Sequence, residues 1–181
     1  MNYPNASLVA EYFAPTRTIV VEEVSILAPA RLTTADVACW VIKSRIVAPR
    51  LVADWVPGGK VELARCLRRS YRVELMRRGD PCLLWVSGRD QPGVHAIGTL
   101  VGRATVEEVT DPSRAELKVT VGLTLLGEPV ARSALLSDHV FADAEVLRMP
   151  AGSNPSYLSP PTFAALRDFL SPEDQRRAGW Q

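Results

Sequence analysis

Basic residues that could bind phosphate are concentrated between Lys43 and Arg78. This segment has ten basic residues against three acidic ones, a net charge of +7, whereas the whole 181-residue chain carries only +1. Most of the ten are arginines, whose planar guanidinium binds phosphate through two hydrogen bonds and stacks on flat bases. The segment therefore favours a surface for phosphate-bearing ligands such as nucleic acid.

The charge reverses further along the chain. From Thr105 to Val146 eight acidic residues stand against Arg114, Lys118 and Arg132, a net charge of −5. The basic segment is then either a phosphate-binding surface or a solvated face that the acidic segment neutralises by folding against it. Charge alone leaves both interpretations open.

The motifs of common enzyme classes are missing from the sequence. It contains no G-x-S-x-G elbow, phosphate-binding P-loop, dinucleotide-binding glycine fingerprint or H-E-x-x-H zinc motif. Of the two histidines, His95 falls inside a predicted strand and His139 follows Asp138, with no cysteine at ligand spacing. The sequence therefore predicts a binding module with no catalytic residues, no metal site and no cofactor.

Composition and cysteine usage indicate an ordinary globular domain. The chain is 47% hydrophobic and 23% charged. It has no apolar run long enough to span a membrane, and no basic segment followed by an apolar one at its start. We therefore expect a cytoplasmic location. The odd number and wide spacing of the cysteines favour buried, inert thiols: Cys39, Cys66 and Cys82.

The elements that would position the basic residues are predicted from periodicity and turn signals. Residues 1–36 form an N-terminal extension, a loosely docked arm with one strand over 18–27. A strand follows over 37–42. Val61, Ala64 and Leu67 recur at the spacing of a helical face, which predicts a helix that presents its arginines to solvent.

The second half of the chain favours strands, with a helix near its end. Residues 82–87 and 94–101 are predicted to form a hairpin, and a strand from Leu117 to Leu126 is closed by Gly127, Glu128 and Pro129. Ser159 followed by two prolines predicts a helix start, and Pro172 its end. Four residues form the apolar stripe of that helix and are expected in the core: Phe163, Leu166, Phe169 and Leu170.

The ordered segments resemble a known family, the EVE domains, which belong with the YTH domains to the PUA-like superfamily. The resemblance spans residues 37–170, with 171–181 as a C-terminal tail. It implies an α+β fold, a PUA-like small mixed β-barrel flanked by short helices. It rests on CWVIKS (39–44), the basic segment after it, RRGDPCLLWVSG (77–88), GVHAIGTLVG (93–102) and GSNPSYLSPPTFAALRDFL (152–170).

The resemblance also implies a ligand, DNA or RNA carrying a modified base, for example a methylated one. A flipped or unpaired base would enter a barrel pocket, with Trp55 as an exposed stacking platform, while Trp40 and Trp85 are alternatively plain core residues. The pocket residues are Trp40, Ser44, Trp55, Trp85, Ser87, Gly88 and Asn154. The phosphate-binding residues are Lys43, Arg45, Arg65, Arg68, Arg69 and Arg72.

Two further hypotheses remain open. Some PUA-like relatives are metal-independent ribonucleases or small hydrolases, and Lys43, Arg45 and Tyr71 would serve such an activity here. Alternatively the chain is a protein interaction module, whose basic segment pairs with an acidic partner or with the acidic segment of a second copy in a homodimer.

Overall fold

A mixed sheet of seven strands forms the centre of the fold. The computed structural model describes residues 31–107 and 115–180, so the predicted N-terminal strand over 18–27 lies outside the described residues. The sheet order is β2-β6-β4-β3-β1-β7, with β5 paired to β6. The strands are β1 (Cys39–Ser44), β2 (Lys60–Leu67), β3 (Pro81–Val86), β4 (Gly93–Leu100), β5 (Thr105–Val106), β6 (Leu117–Ala131) and β7 (Ser156–Leu158).

Strands β1 and β3 run parallel at the centre of the sheet, in a register from Trp40 opposite Cys82 to Ser44 opposite Val86. The predicted hairpin is confirmed, because β3 pairs antiparallel with β4. Because they are parallel, β1 and β3 have their carboxyl ends at the same end of the sheet. There the Ser87 amide donates a hydrogen bond of 2.7 Å to the Ser44 carbonyl.

The two edge strands of the sheet meet and curl it into a barrel. The amide of Arg68, directly after β2, donates a hydrogen bond of 2.8 Å to the carbonyl of Asn154, shortly before β7. Since β2 and β7 are the two ends of the strand order, this bond joins the sheet to itself. Joining the edges removes backbone groups that would otherwise stay unpaired.

Apolar residues pack on both faces of the central strands. Along β1, Trp40 and Ile42 belong to the barrel interior, whereas Cys39 and Val41 face a second core beneath the helices. Successive side chains of a strand point to opposite faces, so a strand covered on both sides is apolar throughout. This explains the unbroken run C-W-V-I.

The predicted basic helix is wrong, because residues Lys60–Leu67 form strand β2. Val61 and Leu63 are half-buried against the barrel interior, while Lys60 and Glu62 are exposed. The sequence alternates with the period of a strand, but Arg65 occupies an inward position where an apolar residue would normally stand. That arginine concealed the alternation.

The predicted strand from Leu117 continues to Ala131, so Gly127, Glu128 and Pro129 do not close it. Its last residues pair with the start of β4, where Val130 stands opposite Val94 and the register shifts before Ala96. The turn residues therefore mark an irregularity inside a long strand, because such a shift accommodates additional residues.

Four short helices cover the second core, hereafter the outer core: α2 (Arg132–Ser137), α3 (Glu145–Arg148), α4 (Pro160–Asp168) and α5 (Pro172–Ala178). The fifth, α1 (Ala48–Leu51), packs against the barrel interior. The predicted start of α4 is confirmed, since the Ser159 side chain accepts a hydrogen bond from the Thr162 amide. Pro172 begins α5, which Ser171 caps, and Trp180 beyond the helix is buried in the core. Leu166 and Leu170 are buried, but the prediction for Phe169 is wrong because 39% of it is exposed.

The cysteines differ in their surroundings. Cys39 and Cys82 are buried, and burial raises the pKa of both thiols. The prediction of a buried thiol is wrong for Cys66, which is exposed on β2 and lies 3.2 Å from a Glu116 carboxylate oxygen. Among the described residues, no helix has the length and hydropathy needed to cross a membrane.

The buried Trp180 yields a prediction about stability. Its indole nitrogen donates a hydrogen bond of 2.7 Å to the Gly98 carbonyl, and its ring meets Phe163 edge-on at 4.9 Å. We expect Trp180→Ala to lower the free energy of unfolding by about 3–5 kcal/mol, measured by urea denaturation. Trp180→Phe keeps an aromatic ring but removes the hydrogen bond, so it should lower the free energy of unfolding by only about 1–2 kcal/mol. Equal, small losses in both variants would show that this end of the chain does not stabilise the fold.

Candidate nucleic-acid interface

Two neighbouring cavities lie on either side of the loop Ala151–Asn154. The Arg45 cavity, about 420 Å³, lies at the carboxyl ends of β1 and β3. The Arg68 cavity, about 500 Å³, lies where the sheet edges meet. Both fall in the range of about 300–1,000 Å³ that is usual for ligand sites. All six residues predicted to bind phosphate line one of them: Lys43, Arg45 and Arg65 the first, Arg68, Arg69 and Arg72 the second.

Three of these six, Arg45, Arg68 and Arg69, have exposed side chains. Within residues 31–107 and 115–180, no ion pair involves any of them. A solvent-facing guanidinium keeps five N–H groups for a ligand. The structure thus brings three phosphate-binding candidates to the rims of two adjoining cavities.

Lys43 differs, because its ammonium is bound to the loop that separates the cavities. Its Nζ donates to the carbonyls of Gly152 at 2.7 Å, Met149 at 3.2 Å and Pro150 at 3.5 Å. Burial lowers the pKa of this ammonium. Since a lysine has three N–H donors, these contacts use its hydrogen-bonding capacity. Its place in the structure is that of a loop anchor.

The Asn154 side chain pairs with the backbone of β1 as another strand would. Its Oδ1 accepts from the Lys43 amide at 2.7 Å, and its Nδ2 donates to the Lys43 carbonyl at 3.2 Å. Its own carbonyl accepts from Arg68. Asn154, predicted as a pocket residue, lines both cavities, and its amide group holds their shared wall in place.

Arg72 belongs to a partly buried network. Its guanidinium makes two hydrogen bonds to Glu145, at 2.9 and 2.7 Å, and lies 5.3 Å from the centre of the Tyr157 ring. Glu145 also accepts from the Ser156 hydroxyl at 2.6 Å. Burial opposes ionisation of this carboxyl, but the hydrogen bonds from Arg72 and Ser156 outweigh it and lower its pKa. Arg72 is therefore already neutralised.

Arg65 lies at the inner wall of the Arg45 cavity. Its Nη2 donates to the Lys43 carbonyl at 3.3 Å. Its Nε is buried and has no hydrogen-bond partner among the described residues. A buried, unpaired donor is costly, and the cost is higher on a charged group. Arg65 thus lines the cavity with a guanidinium whose hydrogen bonds the described residues only partly satisfy.

The predicted serines and glycine also gather here. Ser44 is buried, and its hydroxyl is used within the turn, donating to the Ile46 carbonyl at 2.8 Å. The Ser87 side chain has no hydrogen bond to the described residues and lines the Arg45 cavity. Gly88 has φ +118°, with open space around a Cβ placed there. Together Ser87 and Gly88 line a third cavity of about 240 Å³, the Gly88 cavity, with Trp85, Pro92, Arg132, Val146 and Pro150.

The tryptophans do not form an exposed platform. The prediction for Trp55 is wrong, since only 6% of it is exposed and its indole nitrogen donates to the Gly59 carbonyl at 2.8 Å. Trp40 lies in the barrel interior and donates to Asp80 at 3.0 Å. Trp85 is 3% exposed in the outer core and touches the Gly88 cavity. The barrel uses these rings as core, because burying so large an apolar surface stabilises the fold.

Tyr71, the third member of the hypothetical ribonuclease site, lies elsewhere. Its hydroxyl accepts a hydrogen bond from the Leu32 amide at 3.1 Å, and the Arg31 guanidinium lies 4.3 Å from the centre of its ring. It lines neither the Arg45 nor the Arg68 cavity. The structure thus does not bring Tyr71 together with Lys43 and Arg45 in one cavity.

Two contributors to the site were missed by sequence reasoning. Glu145 and Arg132 both lie in the acidic segment, for which the sequence predicted no contact with nucleic acid. The sequence could have indicated Glu145 only through the general expectation that a partly buried arginine needs an acidic partner. No group of three or more His, Cys, Asp or Glu side chains in the described part of the chain could hold a metal ion.

Comparison with known proteins shows the fold but no family. No family model matches the sequence, and no curated protein matches it. A hypothetical protein from Leishmania major has 18% identity and a TM-score of 0.53, covering 76% of this chain and 96% of that one. A Rhodopseudomonas palustris protein has 19% identity and a TM-score of 0.52, with coverages of 79% and 94%.

A third solved structure contains DNA. It is human THYN1 in complex with 5-methylcytosine-containing DNA, with 14% identity, a TM-score of 0.51, and coverage of 74% of this chain and 99% of that one. At such identities the likeness establishes the fold alone. This chain thus has the α+β, PUA-like fold that the resemblance implied.

The pairing of Asn154 with β1 yields a second prediction. Asn154→Ala removes both hydrogen bonds to Lys43, and we expect the free energy of unfolding to fall by about 1–3 kcal/mol in urea denaturation. Ser153→Ala is the matched control, because Ser153 is exposed on the same loop. It should stay within about 0.5 kcal/mol of the wild type. Equal stability of both variants would contradict the role of Asn154.

The lowered pKa of Glu145 yields a third prediction, on acid stability. Its ordinary pKa is 4.5, and the folded value is lower. The ion pair therefore stabilises the fold above pH 4.5, and this contribution is lost as the pH falls through the folded value. At about pH 7, Glu145→Gln should unfold about 1–3 kcal/mol more easily than the wild type, and the difference should shrink towards about pH 3. A pH-independent difference would contradict this account.

Proposed function

We propose that this chain is a non-catalytic nucleic-acid-binding module, which holds phosphates with Arg45, Arg68 and Arg69 and receives an unpaired base in the Arg45 cavity. The observation that carries the proposal is the position of these three arginines. They are exposed, take part in no ion pair within the described residues, and line adjoining cavities whose common wall is the loop Ala151–Asn154.

The Arg45 cavity suits the polar edge of a base. Ser87 offers a hydroxyl that both donates and accepts, and Arg65 offers guanidinium donors from the inner wall. Extruding a base costs a few kcal/mol, so the cavity must recover that free energy through contacts. Because Trp55 and Trp40 are buried, edge hydrogen bonds and arginine stacking replace aromatic stacking in this proposal.

Discrimination of a modified base follows from the same contacts. A methyl group on cytosine or adenine changes the shape of the base edge and, on an exocyclic nitrogen, removes a donor. A cavity whose polar groups are fixed penalises a base that leaves one of them unpaired. The PUA-like fold supports this proposal, because THYN1, which shares it, binds DNA containing 5-methylcytosine.

The fourth prediction tests the phosphate contacts. Arg45→Ala and Arg68→Ala should each weaken binding of fluorescent DNA and RNA oligonucleotides about three- to tenfold, irrespective of sequence. Fluorescence anisotropy over a range of salt concentrations gives the slope of log K against log salt. On a single strand that slope should become shallower by about 0.7 for each phosphate that the variant no longer binds.

The control is Arg78→Ala. Arg78 is also exposed, but it lies in the turn before β3, at the opposite end of that strand from Ser87. It should leave affinity and slope unchanged. Oligonucleotides with methylated cytosine or methylated adenine test the base cavity, where Ser87→Ala should reduce the preference for one base without changing the slope. If no oligonucleotide binds the wild type at low salt, the proposal is wrong.

A further inference from the structure

The cavities beside the loop continue into a longer groove. The Arg45 cavity and the Gly88 cavity share Ser87 and Pro150. The Gly88 cavity in turn shares Pro92 and Arg132 with a fourth cavity of about 410 Å³, the Leu136 cavity, whose other walls are Gln91, Pro129, Ala131, Ser133 and Leu136. Shared walls mean that neighbouring cavities adjoin. Four neighbouring cavities therefore follow one another from Arg68 to Leu136, with the loop Ala151–Asn154 between the first two, and together they form the groove.

The charge along this groove has one sign. No Asp or Glu is among the described residues that line the Arg45, Gly88 and Leu136 cavities, whereas each contains at least one arginine. Glu145 is the one carboxylate among the described residues of the Arg68 cavity, and Arg72 neutralises it. A recessed surface lined by one sign of charge concentrates the opposite charge. The groove is complementary to an extended polyanion.

Arg132 occupies the junction between the last two cavities. Its backbone amide donates to the Pro92 carbonyl at 2.8 Å, which fixes the start of α2 beside the loop after β3. Its side chain is partly exposed, and no ion pair with the described residues involves its guanidinium. The guanidinium therefore stands beyond the proposed base site with its donors available to a ligand.

The Leu136 cavity at the end of the groove is largely apolar. Pro92, Pro129 and Leu136 form much of its wall, and 42% of Leu136 is exposed. Exposed apolar surface next to a cationic side chain suits a nucleotide, whose base and sugar have apolar faces and whose phosphate is anionic. Non-specific sites for single strands combine a basic groove with side chains on which bases pack, mostly aromatic rings. In the Leu136 cavity proline and leucine side chains supply the apolar contact.

We infer that the nucleic-acid site extends along this groove and holds an extended single strand, with Arg132 binding a further phosphate and the Leu136 cavity receiving a flanking nucleotide. The inference rests on the proposed function and adds the form and length of its ligand. A single strand fits better than a duplex, because its unpaired bases can enter successive recesses while a duplex keeps its bases paired inside.

The fifth prediction uses single-stranded oligonucleotides of increasing length, from about three to about twelve nucleotides, with fluorescence anisotropy as the readout. Wild-type affinity should rise with length until the strand reaches Arg132 and then level off. Arg132→Ala should lose about three- to tenfold on the longest strand only, with a slope of log K against log salt shallower by about 0.7. Arg132→Lys should restore the slope, since a lysine keeps the charge.

Two further variants separate charge from apolar contact and from folding. Leu136→Ser should weaken binding of the longest strand with no change in slope, and Arg78→Ala should change neither. All variants should unfold at the wild-type urea concentration, because the substituted side chains are at least partly exposed.

The outcomes distinguish this inference from the proposed function. If affinity stops rising at the shortest strand, or Arg132→Ala keeps the wild-type slope on the longest one, the extension is wrong, while weakening by Arg45→Ala still supports the proposed site. Tighter binding of the matched duplex than of the single strand would also overturn the extension. If nothing binds, both are wrong.

Discussion

The pairing between the Asn154 side chain and the backbone of Lys43 is the constraint on which the arrangement of the site depends. The edge strands of the sheet are β2 and β7, and the chain just before β7 contacts both β1 and the end of β2. Asn154 does this with one residue, through its amide to Lys43 and its carbonyl to Arg68. Closing the barrel thus also fixes the wall between the Arg45 and Arg68 cavities. Lys43 completes this by binding the carbonyls of Met149, Pro150 and Gly152.

The basic residues around this wall form two groups, those with hydrogen-bond or ion-pair partners inside the protein and those that face solvent. Lys43 meets backbone carbonyls and Arg72 meets Glu145, so their charges are used within the fold. A partly buried charge without such partners would be costly, which is why these two positions hold partnered groups. Arg45, Arg68 and Arg69 are at the solvent boundary, where an unpaired guanidinium costs little. Net charge of a segment therefore overstates its binding capacity, and the exposed subset is the better guide.

Much of the fold could be predicted from the sequence, because the apolar runs and cap residues agreed with the order of segments that resemble EVE domains. The C-W-V-I strand, the β3–β4 pair and the Ser159 cap each follow from apolar runs or capping chemistry. The failures have physical reasons. An inward Arg65 hid the period of β2, and the turn residues Gly127–Pro129 lie within β6. Trp55 stands between polar and turn residues in the sequence, yet packs into a barrel whose contributing strands are distant along the chain.

The sequence predicted which basic residues surround the site but not which of them are free to bind a ligand. All six basic residues named from the sequence line the two cavities, but nothing local distinguishes Arg45 from Lys43, because the partners of Lys43 lie more than a hundred residues away in the loop before β7. Arg132 illustrates the converse. It belongs to a segment with a net charge of −5, and no charge pattern would select it. It reaches the groove because β6 continues through its irregularity to Ala131, which places the start of α2 beside Pro92. A binding surface built where chain segments converge depends on where each strand ends, and strand ends are the property that sequence periodicity determines least well.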